Sequence, residues 1–328
     1  MNFKPIIIVL GEPYSIFTEI FFKCLKNKDI NKIKSKIILI GSKKLLQKQM
    51  FSLGFDFKIN EINKEKIKNL KLKNKDVNII NTDFKFKKTF DKISNKSSTY
   101  IENSFKISLE ILKNIKSMGM INGPVSKAHF LNKKYLGITE YLFKKTKAKK
   151  EPVMLIYNSK ISVSPVTTHL PVKFIAKNLT SKKIINNILE INNFYKSKLK
   201  KKPNIAVLGL NPHCETIHKF SEEEKIIKPA IKFLKNKKID ILGPFPADTF
   251  FLKKNIKKFD VVVGMYHDQV LTPMKTLYKF DAINLTLGLP FVRVSPDHGP
   301  NETMLGKNVS SPKSLLSAIN FIRKINDS

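Results

Sequence analysis

The chain has 328 residues, 42% of them hydrophobic, which is enough for a large core and for two domains, and its two cysteines exclude a disulfide scaffold and suit a reducing, cytoplasmic compartment. Its longest apolar runs, such as Ile6-Ile7-Ile8-Val9-Leu10, are too short to span a bilayer, and this first one leads into Gly11-Glu12-Pro13 with no cleavage site, so neither a membrane anchor nor a signal peptide is expected. The formal net charge of +35 raises nucleic-acid binding, but the lysines are spread over every polar segment, as on a solvated surface, and no nucleic-acid partner is expected.

Strand-like and helical patterns alternate along the chain. Lys4–Leu10 reads as a strand, Ser15–Leu25 as a helix, Lys36–Ile40 as a strand and Lys43–Leu53 as a helix. The lysine- and asparagine-rich span from Phe55 to Ser98 has no clear pattern. A helix is predicted over Tyr100–Lys116, followed by the strand-like Gly119–Asn122 and the turn Gly123-Pro124-Val125-Ser126-Lys127. Further helices are predicted over Ser181–Lys196, Ser221–Leu234 and Pro312–Lys324. This alternation predicts an α/β fold with a largely parallel sheet covered by helices. With no repeat and no structureless linker, a second domain is expected to be woven into the first. There is no G-x-G-x-x-G after the first strand and no phosphate-binding G-x-x-x-x-G-K-[ST], so a dinucleotide would bind by another design.

Three apolar runs end on histidines. Ile161–Thr168 leads to His169, Ile205–Pro212 to His213, and Phe259–Gly264 to Met265-Tyr266-His267-Asp268-Gln269. Open α/β folds build sites at the carboxyl ends of their strands, and three neutral imidazoles with one open position make a divalent-metal site that polarises a substrate oxygen. A hydrogen-bonding cap at each strand end is the alternative. Three such histidines, in a chain with six, favour the metal. Downstream lie Lys275, Asn284, Gly288 and Arg293. Arg293 and Arg323 are the only arginines of this lysine-rich chain, and a guanidinium fork suits a planar anion, with a structural ion pair as the competing role.

Taken together and in this order, these motifs resemble the 4-hydroxythreonine-4-phosphate dehydrogenase family of pyridoxal phosphate (vitamin B6) biosynthesis, itself similar in fold to isocitrate and isopropylmalate dehydrogenases. The resemblance rests on Gly11-Glu12-Pro13, Gly123-Pro124-Val125 with Lys127, Gly137 with Thr139-Glu140, Thr168-His169-Leu170-Pro171 and Leu210-Asn211-Pro212-His213. It continues through Gly243–Thr249, Tyr266–Gln269, Asn284–Arg293 and Asp297-His298-Gly299.

The resemblance implies two interwoven α/β/α domains with a cleft between them: 1–122 plus 271–328 on the dinucleotide side, and 123–270 carrying the metal-ligand strands and the dimer interface. It implies a homodimer with active sites at the interface, His169, His213 and His267 as ligands of one divalent ion (Zn, Mg or Co), and His267 supplied by the other subunit. Thr139, Lys275, Asn284 and Arg293 fall on substrate contacts, Lys275 as proton-transfer group or anchor. Asp248 falls near the catalytic site. Asp297, His298, Gly299, Gly306 and Lys307 resemble a loop that holds NAD or NADP. The implied reaction is oxidation of a small phosphorylated amino acid, 4-phosphohydroxy-L-threonine, at C3, then decarboxylation. Related readings are a dehydrogenase of phosphoerythronate or phosphothreonate, a metal-dependent hydrolase or aldolase on the same histidines, and an inactive nucleic-acid-binding paralogue.

Three segments depart from the family pattern. Ile138 stands where the family has a histidine, Tyr14-Ser15-Ile16-Phe17-Thr18-Glu19 replaces a segment with two glycines, and Cys214-Glu215-Thr216 follows His213 in place of Ala-Gly-Glu. An isoleucine donates no hydrogen bond, so weaker substrate binding, by roughly 1–3 kcal/mol, is expected from Ile138.

Overall fold

Strand formation follows the apolar runs closely. In the computed structural model, which describes residues 4–69, 72–131, 135, 137–148, 151–215, 217–278, 282–296 and 298–327, the strands are β1 (Ile6–Val9), β2 (Ile37–Gly41), β3 (Ile59–Glu61), β4 (Val77–Asn81), β5 (Gly119–Asn122), β6 (Val153–Tyr157), β7 (Ser162–Thr167), β8 (Ile205–Leu208), β9 (Ile241–Phe245), β10 (Val261–Tyr266), β11 (Ile283–Leu287) and β12 (Arg293–Pro296). The chain divides into two compact units, 1–147 with 289–327, and 148–288. None of the described helices is long and apolar enough to cross a membrane.

In the first unit six strands lie in the order β3-β4-β2-β1-β5-β12, and every pairing is parallel. Parallel strands are covered on both faces, so they read as unbroken apolar runs, and all of β1 and β2 is buried. The helices follow the predicted spans: Phe17–Leu25, Lys43–Ser52, Ser98–Asn114 and Lys313–Asp327. Ser42 starts the second by accepting a hydrogen bond from the Leu45 amide at 3.4 Å, which satisfies one of the amides that a helix leaves open at its start. Ile7, Val9, Ile38, Ile40, Tyr100 and Phe105 form the centre of one core cluster.

The second unit orders its strands β11-β6-β7-β10-β8-β9. β11, β6 and β7 pair antiparallel, while β7, β10, β8 and β9 are parallel. The helices Ser181–Lys198 and Lys228–Asn236 pack against each other. The predicted helix over Ser221–Leu234 opens instead as a π-turn at Glu223–Ile227.

The unit boundaries lie at 147/148 and 288/289, where 122/123 and 270/271 were expected. Packing accounts for both differences. The helix Ile138–Thr146 buries Tyr141 and Leu142 in the core of the first unit, and β11 pairs with β6 of the second along its whole length.

Two glycines let β1 and β5 end against each other. Gly11 has φ 73°, and a Cβ there would lie 2.4 Å from the Pro124 carbonyl oxygen. A Cβ on Gly123 would lie 2.2 Å from the Leu10 carbonyl oxygen, so neither position has room for a side chain. Next to this contact sits Glu12, 1% exposed. Its Oε2 accepts from Ser97 Oγ at 3.2 Å, and its backbone amide donates to Pro124 O at 2.8 Å. Burial pushes its carboxyl up to about 7, the Ser97 bond opposes this, and Glu302 adds a smaller upward push.

A carboxyl raised in the folded chain favours folding while protonated. That contribution is complete below the unfolded value of 4.5 and is lost as pH rises through about 7. Glu12→Gln keeps an acceptor for Ser97 but carries no charge, so it should be more stable than the parent by on the order of 1–3 kcal/mol above pH 7. The gap should shrink steadily towards pH 4.5. Urea denaturation at several pH values measures it, and a gap independent of pH would refute the buried-charge account.

Candidate active site

Three parallel neighbours, β7, β10 and β8, bring the three histidines to one sheet edge. Tyr266 of β10 is in register with Thr167 of β7, so His169 and His267 leave adjacent strands at nearly the same level. Thr167 Oγ1 ties the two strand ends together by donating to Met265 O at 2.7 Å. The His169 and His267 ring centroids are 5.8 Å apart. Two imidazoles sharing one ion, with nitrogens ~2.1 Å from it, place their centroids roughly 5 Å apart, so the pair suits two of the ligand positions. His267 begins the helix His267–Tyr278, and its Nδ1 lies 2.7 Å from Asp268 Oδ1. A carboxylate on one ring nitrogen orients the other for a ligand, as is common at metal-bound histidines.

His213 follows β8 in a tight turn, with its backbone in the left-handed region at φ 57° and its side chain exposed. Glu223 holds this turn. Its Oε1 accepts from the amides of Leu210 and Asn211 at 2.7 and 2.8 Å, and its Oε2 accepts from Asn211 Nδ2 at 2.8 Å. Among the described residues no three His, Cys, Asp or Glu side chains form a metal-holding group. Within one chain His169 and His267 are thus brought together, and His213 is not grouped with them. Cys214, next to His213, is buried and its thiol is pushed up by burial. Asp248 is exposed in the short helix Ala247–Phe250, which packs against the His213 turn.

Two further residues of the second unit were expected to meet substrate. Lys275 is exposed two turns beyond His267. Asn284 is half-buried on β11, and its Oδ1 has no hydrogen-bond partner among the described residues.

In the first unit Arg293 is 1% exposed. Its Nε donates to Asn122 Oδ1 at 2.8 Å, and its Nη1 donates to Thr139 Oγ1 at 3.4 Å. Burial lowers the guanidinium to about 10, while Glu140 pulls it back up, so it stays charged at neutral pH. Arg293 and Thr139 are thus brought together, as substrate contacts would be, with Asn122 as a partner that sequence reasoning missed. Its only signal was its place between β5 and the Gly123-Pro124 turn.

Ile138, at the first position of the Ile138–Thr146 helix, packs partly buried against the core cluster of the first unit. The residues after Glu12 are absorbed in the same way: Tyr14 packs with Leu45 and Ile93, and Phe17 is fully buried. In the expected dinucleotide loop, His298 lies with its ring centroid 6.0 Å from that of Phe17, and Gly299, Gly306 and Lys307 are exposed. Asp297 lies outside the described residues.

Residues 33–322 match the family model described as pyridoxal phosphate biosynthetic protein PdxA. A relative from Sulfurihydrogenibium sp. (strain YO3AOP1), named 4-hydroxythreonine-4-phosphate dehydrogenase, is 38% identical over 319 residues, covering 95% of this chain and 95% of its own length. A solved 4-hydroxythreonine-4-phosphate dehydrogenase from Burkholderia phymatum is 27% identical, covers 99% of each chain and superposes with a TM-score of 0.81. The β-decarboxylating dehydrogenase from Thermococcus kodakarensis, 10% identical and covering 98% of this chain and 84% of its own, shares the fold at a TM-score of 0.53. The chain belongs to the PdxA family, the 4-hydroxythreonine-4-phosphate dehydrogenases of pyridoxal phosphate biosynthesis.

Proposed function

We propose that the chain oxidises 4-phosphohydroxy-L-threonine at C3 with NAD or NADP and then releases carbon dioxide, giving 3-amino-2-oxopropyl phosphate. The observation that carries this reading is the convergence of His169 and His267, 5.8 Å apart, at the carboxyl edge of parallel strands in a chain of this family. When bound, a divalent cation would supply Lewis acidity towards the substrate hydroxyl, and the nicotinamide would supply the hydride acceptor. His169 and His267 would hold the cation, with Asp268 fixing the His267 ring. Arg293 and Thr139 would bind an anionic group of the substrate. Since Arg293 is 1% exposed, an anion reaches it only when its surroundings open. Lys275 would anchor a second anionic group or return a proton after decarboxylation, Asn284 would contact substrate, and Asp248 would act near His213. The loop of Asp297, His298, Gly299, Gly306 and Lys307 would hold the dinucleotide.

Ile138 favours a second reading, a different phosphorylated hydroxy acid, because its packing puts an apolar group where the family contacts substrate. Incubation with 4-phosphohydroxy-L-threonine, phosphoerythronate or phosphothreonate, with each nucleotide and several divalent ions, separates the two by absorbance of the reduced cofactor. Turnover of the first substrate is expected. In that assay Arg293→Lys keeps the charge but loses the planar fork, and kcat/KM should fall by about 1–3 kcal/mol of transition-state binding. Unchanged kinetics would make the arginine structural.

Metal binding has its own test. Titration calorimetry with Zn²⁺ or Co²⁺ should show that His169→Ala and His267→Ala each lose most of the affinity, and that Asp268→Ala loses about tenfold. Equal affinity in the parent and both histidine variants would remove the metal from the reading.

A homodimer belongs to the same proposal. Val172, Ile217 and Phe220 of the second unit are 79%, 87% and 70% exposed, apolar side chains suited to burial against a second copy. Sedimentation equilibrium is expected to give the mass of two chains, and Ile217→Lys with Phe220→Lys should shift it towards one. A parent protein of single-chain mass at micromolar concentration would count against the dimer.

A further inference from the structure

We infer that Asn122 is a positioning residue for Arg293, an inference that rests on the reading of Arg293 as a substrate contact. Asn122 ends β5 and Arg293 begins β12, and the two strands pair in parallel with Arg293 opposite Met120. Met120 and Asn122 lie two residues apart and so share a face of the strand, which puts the amide just ahead of the guanidinium along the strand direction.

The chemistry sets which end of the amide faces the arginine. A guanidinium has donors only, and the Gly123 carbonyl on the other side is an acceptor only. The Asn122 oxygen therefore faces Nε at 2.8 Å and its NH₂ faces Gly123 O, also at 2.8 Å. Reversing the amide would set donor against donor and acceptor against acceptor. Gly123 itself is held in place: its amide donates to Val9 O at 2.8 Å, and it has no room for a Cβ between Leu10 O and the Phe17 ring. A rigid turn thus fixes the amide, and the amide fixes Nε.

With Nε held by Asn122, Nη1 meets Thr139 Oγ1 at 3.4 Å. Asn122 and Arg293 are 2% and 1% exposed, so no solvent competes for this bond. A lysine in place of Arg293 has no Nε and could not be oriented in this way, which fits an arginine at this position of a lysine-rich chain.

The test compares Asn122→Leu, Asn122→Ser and Asn122→Asp with Arg293→Lys, reading kcat and KM for 4-phosphohydroxy-L-threonine beside the thermal midpoint. Leucine has no acceptor and serine is too short to reach Nε. Both should raise KM by about tenfold to a hundredfold with a smaller change in kcat. Aspartate keeps the acceptor for Nε but sets an oxygen against Gly123 O, and it should recover part of the affinity that leucine loses. Asn122→Leu added to Arg293→Lys should cost little more than Arg293→Lys alone.

Equal losses in the aspartate and leucine variants would mean that Asn122 acts through the Gly123 turn, and would overturn the inference. An unchanged KM in Asn122→Leu and Asn122→Ser, with a raised KM in Arg293→Lys, would overturn it while leaving the arginine a substrate contact. An unchanged KM in Arg293→Lys would remove that contact and the inference with it. If leucine prevents folding, the serine and aspartate pair gives the same decision.

Discussion

Parallel strand pairing is the constraint on which the candidate site depends. In a parallel set every strand ends at the same edge, so residues far apart in sequence are delivered side by side without any long loop having to carry them. In the second unit this brings His169, His267 and His213 to the ends of three consecutive neighbours, β7, β10 and β8. In the first unit it brings Gly11-Glu12 to Asn122-Gly123, where the two turns are hydrogen-bonded and only glycine fits at the point of contact. The buried apolar runs exist to make that pairing stable, and the chemistry sits just beyond them.

Charge acts in two different ways in this molecule. Among the described residues the lysine ion pairs are mostly at the surface, for example Lys64 with Glu110 and Lys145 with Glu102, where solvent screens them and each contributes little. Glu12 and Arg293 are different, because each is almost fully buried and a buried charge without partners would be strongly destabilising. Arg293 meets that demand through Asn122 and Thr139, with Glu140 favouring its charged form. Glu12 meets it through Ser97 and a raised proton affinity. A net charge of +35 therefore says little about function, whereas buried groups such as Glu12 and Arg293 mark a polar interior in the first unit.

The departures from the family pattern share one physical outcome. Tyr14, Phe17 and Ile138 each place a large side chain in a segment where the resemblance expects glycine or histidine; Tyr14 and Ile138 pack into or onto a core cluster, and Phe17 is fully buried. Cys214 is buried in the turn that presents His213. The fold tolerates these changes because interiors accept apolar volume where a neighbouring cluster can take it up. At Ile138 the same change removes a hydrogen-bonding group from the helix that carries Thr139.

Period and apolar content along the chain determined the element types, since β1, β2, β5, β7, β8 and β10 are buried runs that no helix pattern fits, and the helices over residues 17–25, 43–52, 98–114 and 313–327 follow their amphipathic spans. The α/β class and the placing of three histidines beyond three strands were legible for the same reason. The span 55–98 was not, because β3 is a three-residue, partly exposed piece and β4 interrupts its apolar run with Asn78, a buried amide that donates to Lys73 O at 2.9 Å and accepts from Asn60 Nδ2 at 3.2 Å. Sequence also leaves open which side chains meet. That His169 lies beside His267 while His213 faces solvent depends on strand register and on a left-handed turn held by Glu223. That Arg293 is buried against Asn122 depends on the pairing of β12 with β5, a contact between residues 171 positions apart that no local pattern encodes. Local periodicity acts over a few residues, whereas register and burial are set by the whole sheet, and only the folded chain decides them.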